Sequence, residues 1–188
     1  MNHNDILTQV AVLPQVLDAA SCARAIKLAQ SFPATEGRVG TSDVEKGKIR
    51  RSRIWFFDPS AQTEFIFAPL RSALKLINQG YGYDIDGFGT GCQIAHYSSK
   101  DQGHYDWHID LGTGRFSRRK ISLTVQLSTA DEYEGGDLEF HMSGLDAEKM
   151  RQQGSLIAFS SFMEHRITPV TRGDRFSLVA WVYGTPYR

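Results

Sequence analysis

The sequence predicts an α+β, mainly β fold in which N-terminal helices pack against a jelly-roll-like β core. Three observations predict it. Apolar residues at helical spacing are confined to roughly the first 85 positions. From Phe88 onward the texture changes to short apolar runs separated by glycine-rich turns. Within that second part Ile121, Leu123, Val125 and Leu127 alternate with Ser122, Thr124 and Gln126, the period-two pattern of a strand with two different faces. With no repeat, low-complexity stretch or linker, the chain reads as one domain over residues 1–188, a helical lead-in to about 85 and a β core from about 86.

Asp18 is placed to cap a helix running to about residue 31, with Cys22, Ile26 and Ala29 on one face. A second helix is expected over about 62–79, where Ile66, Leu70, Ala73 and Ile77 recur at helical spacing. Pro69 should break or restart it, since proline removes a hydrogen bond and clashes with the preceding turn. Gly80 suits its C-terminal stop. In the β part, residues 155–159 form a short apolar run and 175–183 a longer strand, while Gly135 and Gly136 shape a turn. On the last strand Arg175, Ser177, Val179 and Trp181 share one face, and Phe176, Leu178, Ala180 and Val182 the other.

Composition narrows the function classes. The chain has 188 residues, 41% apolar and 22% charged, enough for a hydrophobic core. Twenty-one Lys and Arg balance 21 Asp and Glu, which gives no electrostatic reason to expect nucleic acid or an anionic membrane as partner. Cys22 and Cys92 stand too far apart and alone for a disulfide framework or a cysteine-based zinc site; they read as two buried thiols in a reducing compartment. No leader-like or membrane-length apolar run is present, so a cytoplasmic location is the expectation.

The chemistry-bearing signal is His108-Ile109-Asp110, followed 57 residues later by His165. In extended chain, residues two apart point the same way, so His108 and Asp110 can grip one ion while His165 arrives from a later strand. Two imidazoles and a carboxylate leave the opposite side of a metal open, the arrangement that suits non-heme Fe(II). Taken alone, His108 also fits a polar loop and His165 a satisfied core position. The segment after His165 shifts the balance: Arg175 and Ser177 lie side by side, a fork-shaped cation and a hydroxyl fit to bind a carboxylate.

The strings HYDWHID, GGDLEF and HRITPVTRGDRFSLVAW, within residues 88–183, resemble the prolyl-hydroxylase-like (PKHD-type) branch of the 2-oxoglutarate/Fe(II) dioxygenases. The N-terminal helices and IRRSRIWF resemble the lead-in of bacterial and phage members. The resemblance implies a double-stranded β-helix. It implies Fe(II) on His108, Asp110 and His165, and 2-oxoglutarate with its distal carboxylate on Arg175, assisted by Ser177. O2 would be the second cosubstrate and ascorbate a stimulant. Tyr97 resembles the family tyrosine that lies over the cosubstrate. Gln126 stands where the hypoxia-inducible-factor prolyl hydroxylases have a tyrosine, so its role is left open. Trp181 matches an aromatic near the substrate and equally fits core packing. Tyr105, Trp107 and His104 could line the substrate mouth or be exposed loop residues. Arg51, with Arg50, resembles a substrate-side strand, although a solvated basic face is the simpler reading. His3, His96 and His141 read as structural.

The implied activity is hydroxylation of a C–H bond, of a prolyl residue in a protein or peptide, with release of succinate and CO2. A free amino acid or other small molecule stays open as substrate. Asp110 argues against a halogenase, whose relatives lack the carboxylate. Trp181 stands where AlkB-type nucleic acid demethylases carry a second arginine, which ranks nucleic acid low. Two other classes remain: a jelly-roll module that binds metal without catalysis, and a Zn- or Mn-dependent cupin-like enzyme. The latter would ordinarily use more histidines and no distal arginine. The sequence does not give the oligomeric state.

Overall fold

The computed structural model describes residues 3–37 and 49–187. In chain order these form α1 (His3–Leu7), β1 (Ala11–Leu13), α2 (Ala19–Gln30), β2 (Thr35–Glu36), β3 (Arg50–Arg51), β4 (Arg53–Phe57), α3 (Glu64–Tyr81) and β5 (Ile85–Ser98). There follow β6 (His104–His108), β7 (Arg119–Gln126), β8 (Tyr133–Gly135), β9 (Leu138–Phe140), α4 (Ala147–Arg151), β10 (Leu156–Ser160), β11 (His165–Ile167) and β12 (Val170–Gly184).

The strands make two antiparallel sheets, the jelly-roll arrangement expected. The larger runs β1-β10-β7-β12-β5-β4-β2, with β8 also paired to β12; the smaller runs β3-β6-β11-β9. The segment before residue 86 is therefore more than a helical lead-in, because it adds strands to both sheets. Residues 53–57 read RIWFF, and Ile54 and Trp55 are both buried on opposite faces, which holds β4 against β5.

The helices cover the outer face of the larger sheet. Asp18 caps α2 as expected, its carboxylate accepting from the Ser21 amide at 2.7 Å. The buried face of α2 is Cys22, Ala25 and Ala29; Ile26 is only partly buried. Pro69 does not break α3, which continues through it. Proline in a helix interior costs about 3 kcal/mol. The same helix buries Ile66, Phe67, Leu70, Leu74 and Ile77, each contributing about 1.5–3 kcal/mol, so packing outweighs the lost hydrogen bond. Nor does the helix stop at Gly80. Tyr81 carries it onward, buried with its hydroxyl donating to the Gln9 and Ala158 carbonyls. The left-handed cap falls at Gly82, φ 67°.

β7 and β12 show why the alternation matters. Ile121, Leu123 and Val125 join Phe176, Leu178, Ala180 and Val182 in the core under the helices. Ser122, Thr124 and Gln126 face the other way and are buried too, between the two sheets. β12 begins earlier than expected, at Val170, because its first residues pair with β8. Both cysteines are buried and free, as read from the sequence. No helix among the described residues is long and apolar enough to cross a membrane.

Candidate metal centre

His108 is the last residue of β6 and His165 the first of β11, and these two residues pair directly across the smaller sheet. Asp110 lies two residues beyond His108, its amide donating to the Ser161 carbonyl at 3.0 Å. Chain pairing thus closes the 57-residue gap: the donor atoms of all three side chains lie within 4.8 Å of one another.

Each side chain is held by a neighbour. The Nδ1 of His108 lies 2.7 Å from the Asp106 carbonyl and that of His165 3.0 Å from the Met163 carbonyl. A carbonyl can only accept, so both Nδ1 atoms carry a proton, and Nε2 is the nitrogen each ring turns toward Asp110. Asp110 Oδ1 is 3.8 Å from His108 Nε2 and Oδ2 is 3.7 Å from His165 Nε2. These distances are too long for hydrogen bonds, yet two ligands about 2.1 Å from a shared ion can stand up to about 4.2 Å apart. Ser122 Oγ donates to Asp110 Oδ2 at 2.6 Å and also meets Ser161 Oγ at 3.0 Å.

The protonation states suit a cation. Burial, with the neighbouring His165, pushes His108 down to about 4, so its imidazole is neutral near pH 7. Burial alone would raise the Asp110 carboxyl, but His165 and His108 beside it and the Ser122 hydroxyl hold it below the ordinary carboxylate range. Neutral imidazoles and an ionised carboxylate are what a metal requires of its ligands.

The cavity over this triad is lined by Arg50, Tyr97, Tyr105, Thr124, Ser177 and Trp181, among others. Tyr105 stacks on His108 with ring centroids 3.4 Å apart, and burial pushes its phenol well above the ordinary range. Arg175 is 2% exposed. Its Nη2 donates to Gln126 Oε1 at 3.0 Å and its Nη1 to Ser177 Oγ at 3.3 Å, while Nε has no partner. Gln126 donates in turn to the Tyr133 hydroxyl at 2.7 Å. The Arg175 fork also lies 5.5 Å from the Tyr97 ring. A buried guanidinium with neutral partners and an idle donor calls for an anion. The donor set therefore fits a divalent cation, and Arg175 fits a carboxylate ligand beside it.

Most residues expected at the site are brought together: His108, Asp110, His165, Tyr97, Tyr105, Ser177 and Trp181 line one cavity, and Arg175 and Gln126 adjoin it. Trp107 is not among them. It stacks on His141 at 3.8 Å, beside a second cavity of about 480 Å³ that reaches Gln126 and Arg175 from another side. Arg51 is exposed and donates to the Asp101 carbonyl at 2.9 Å, away from the metal. Arg50, by contrast, is not on a solvated basic face; it is 8% exposed and lines the metal cavity. His104 turns its Nδ1 to the Gln102 carbonyl, 2.9 Å away. His96 meets Asp174 at 2.7 Å and stacks on Phe176; His141 meets Glu164 at 2.9 Å. The side chain of His3 lies outside the described residues. Gly135 and Gly136 make the turn between β8 and β9, with φ of 69° and 63°.

Four contributors were not singled out from sequence: Ser161, Arg119, Tyr133 and, as a partner of Asp110, Ser122. Ser122 had a signal, since it occupies the polar face of the alternating strand. Ser161 and Tyr133 had none, because their roles depend on contacts made across the sheets. Arg119 donates to the Asp110 carbonyl at 3.0 Å and covers the Trp181 ring at 4.0 Å.

Comparison with known proteins agrees with this geometry. Residues 92–183 match the 2OG-Fe(II) oxygenase superfamily. The matched segment is just under half of the chain. It contains all three metal-facing residues together with Arg175 and Ser177, and the cofactors that accompany the family are Fe(II), 2-oxoglutarate and O2. A PKHD-type hydroxylase of Synechococcus sp. strain CC9605 is 39% identical over 79 residues, 42% of this chain and 36% of the relative. One from Teredinibacter turnerae is 36% identical over 89 residues, 44% of this chain and 39% of the relative. The match thus spans well under half the length of these curated relatives. The fold extends further. A Pseudomonas putida prolyl-4-hydroxylase superposes with a TM-score of 0.72 at 22% identity, covering 97% of both chains. A Trichoplax adhaerens prolyl hydroxylase, solved with a hypoxia-inducible-factor peptide, gives 0.73 at 18% identity over 97% of this chain and 87% of that one.

Proposed function

We propose that the chain is a single catalytic domain that hydroxylates a C–H bond, coupled to conversion of 2-oxoglutarate into succinate and CO2, with a prolyl residue of a protein or peptide as substrate. The observation that carries the reading is a pairing: the His108–Asp110–His165 cluster with Arg175, a buried cation that lacks an anion, beside it. A metal-binding module without catalysis has no use for the second feature. The PKHD-type relatives and the prolyl hydroxylases of like fold support the hydroxylase class and a prolyl target. Two buried cysteines without a disulfide suit a reducing compartment, where we place the activity.

His108, Asp110 and His165 would hold Fe(II) on one side only, leaving the cavity side for ligands. Bound there, iron together with 2-oxoglutarate and O2 would supply the oxidising chemistry, with one oxygen atom of O2 ending in the new hydroxyl and the other in succinate. Arg175 would clamp the far carboxylate of 2-oxoglutarate with its fork, Ser177 would add a hydroxyl, and Gln126 would hold the guanidinium in plane. Tyr97, beside the Arg175 fork, would cover the cosubstrate. Tyr105 and Trp181 would exclude water and present an apolar wall to the substrate.

The test is anaerobic addition of Fe(II) and 2-oxoglutarate to the purified protein, watching for the visible metal-to-ligand charge-transfer band of the chelate. Wild type should show the band, His165→Ala should lose it, and Arg175→Ala should need about tenfold or more 2-oxoglutarate to reach it. A folded, metal-loaded wild type without the band would overturn the reading.

A further inference from the structure

Among the described residues only two arginines are buried, Arg175 and Arg50, and neither meets a carboxylate. The contrast with the other arginines is informative. Five of the ten others described, all at least partly exposed, pair with a carboxylate, Arg71, Arg118, Arg151, Arg166 and Arg172 with Glu64, Asp86, Asp137, Glu139 and Glu134, and the rest keep contact with water, which screens their charge. A buried charge without a counter-ion is costly to keep, so a fold retains it where something else brings the opposite charge. For Arg175 that something is the distal carboxylate of 2-oxoglutarate. Arg50 needs its own.

The position of Arg50 says what kind. It lies on β3, which pairs with β6, the strand that ends in His108. Its Nε is satisfied by Ser52 Oγ at 2.8 Å, and its guanidinium carbon lies 4.6 Å from the centroid of the Tyr105 ring. Tyr105 itself stacks on His108. The guanidinium, the phenol and the metal-facing imidazole are thus linked ring to ring along one wall of the cavity. The planar fork is fixed by the aromatic ring and by Ser52, leaving its terminal nitrogens for a ligand, the geometry that suits a carboxylate. The cosubstrate does not supply this anion in the proposed arrangement, because one of its carboxylates goes to the metal and the other to Arg175. The cavity also offers apolar surface from Ile167, Val179 and Trp181, so a ligand there presents both a hydrocarbon part and a charge.

We propose that Arg50 reads a carboxylate on the substrate, so that this site hydroxylates an anionic substrate rather than a neutral one. The inference rests on the oxygenase reading given above. Two sources share the chemistry: an acidic side chain next to the target residue in a peptide, and the free carboxylate of a small molecule.

The experiment follows succinate release from 2-oxoglutarate by Fe(II)-loaded wild type, Arg50→Met and Arg50→Lys with two matched probe pairs. The pairs are N-acetyl-Pro-Glu amide against N-acetyl-Pro-Gln amide, and L-proline against L-prolinamide. In at least one pair the acidic member should raise succinate release about tenfold or more over its neutral counterpart. Arg50→Met should erase that difference and Arg50→Lys should restore part of it. The pair that responds identifies the source of the carboxylate. Equal response to both members, or none to either acidic probe, overturns the assignment. Two controls bear on it independently. The charge-transfer titration with 2-oxoglutarate should reach half-saturation at the same concentration in Arg50→Met as in wild type; weakening like that of Arg175→Ala would give Arg50 to the cosubstrate and overturn the proposal. The metal-free Arg50→Met protein should melt no lower than wild type, since Arg50 pairs with no carboxylate among the described residues. A fall of about 5 °C or more would make Arg50 structural and overturn it equally. A wild type with no charge-transfer band is the failure of the oxygenase reading itself; a normal band without acid preference is the failure of this inference alone.

Discussion

Replacing Ser122 by alanine asks whether the hydrogen bonds around the donors, and not only the donors, set the metal affinity. The Ser122 side chain is fully buried and its hydroxyl donates to Asp110 Oδ2 at 2.6 Å. Alanine removes that contact and the one to Ser161 Oγ at 3.0 Å. The backbone at the site stays anchored, because the Asp110 and Leu111 amides still donate to the Ser161 carbonyl at 3.0 and 2.8 Å. Ser161 Oγ meets the Ser122 hydroxyl, not the carboxylate, so it does not fill in without moving. What disappears is one hydrogen bond to a charged acceptor, worth about 1.5–3 kcal/mol. Since about 1.4 kcal/mol is a factor of ten, metal binding should weaken by about tenfold to a hundredfold, the usual range for a group that orients a ligand. Anaerobic titration of Fe(II), or Mn(II) followed by EPR, into wild type and Ser122→Ala measures this, and metal-free melting curves control for folding. Affinity within about threefold of wild type, with an unchanged melt, would refute the argument that the hydroxyl fixes Asp110.

Gly136→Ala should weaken 2-oxoglutarate binding by about tenfold while leaving metal affinity unchanged, read from the charge-transfer titration. A Cβ there would stand 2.9 Å from Arg175 Cδ and from Val170 Cγ2, at a φ of 63° that favours glycine. Cys22 and Cys92 should resist iodoacetamide at pH 8 in the native protein: burial pushes their thiols from 9.0 up to about 11 and about 12, lowering the thiolate fraction by about 100-fold and about 1000-fold. The folded state binds more protons than the unfolded above pH 9, so stability should fall as pH rises from there toward 12, and mass spectrometry after alkylation with and without denaturant checks the burial directly. Asp18→Ala, which removes the cap from α2, should lower the urea unfolding midpoint and leave 2-oxoglutarate binding intact.

Periodic features were the legible ones. The alternation over β7 and β12 announced strands with two different faces, and the structure puts the apolar face under the helices and the polar face, buried as well, between the sheets. Helix ends were less legible, since Pro69 and Gly80 obey local rules that a buried helix face and the Tyr81 hydroxyl bonds override. The same division holds at the site. His108, Asp110, His165, Arg175 and Ser177 could be named because their spacing along two strands is a sequence property. Arg50 and Arg51 differ by one position, and the expectation from sequence fell on Arg51 for the substrate side. Strand pairing decides: alternate residues point to opposite faces, so one of the two enters the cavity and its neighbour reaches out to the Asp101 carbonyl.

Gln126 shows the limit most clearly. Its identity left its role open, because an amide can donate, accept or do both. In the fold it does both, accepting from Arg175 and donating to Tyr133, a residue on another strand that no spacing connects to it. That bridge orients the guanidinium without neutralising it. A carboxylate at position 126 would pair with Arg175 internally and compete with an incoming anion. The neutral amide keeps the cation buried, oriented and still in need of a counter-ion, which is the condition a carboxylate-binding site has to meet before its ligand arrives.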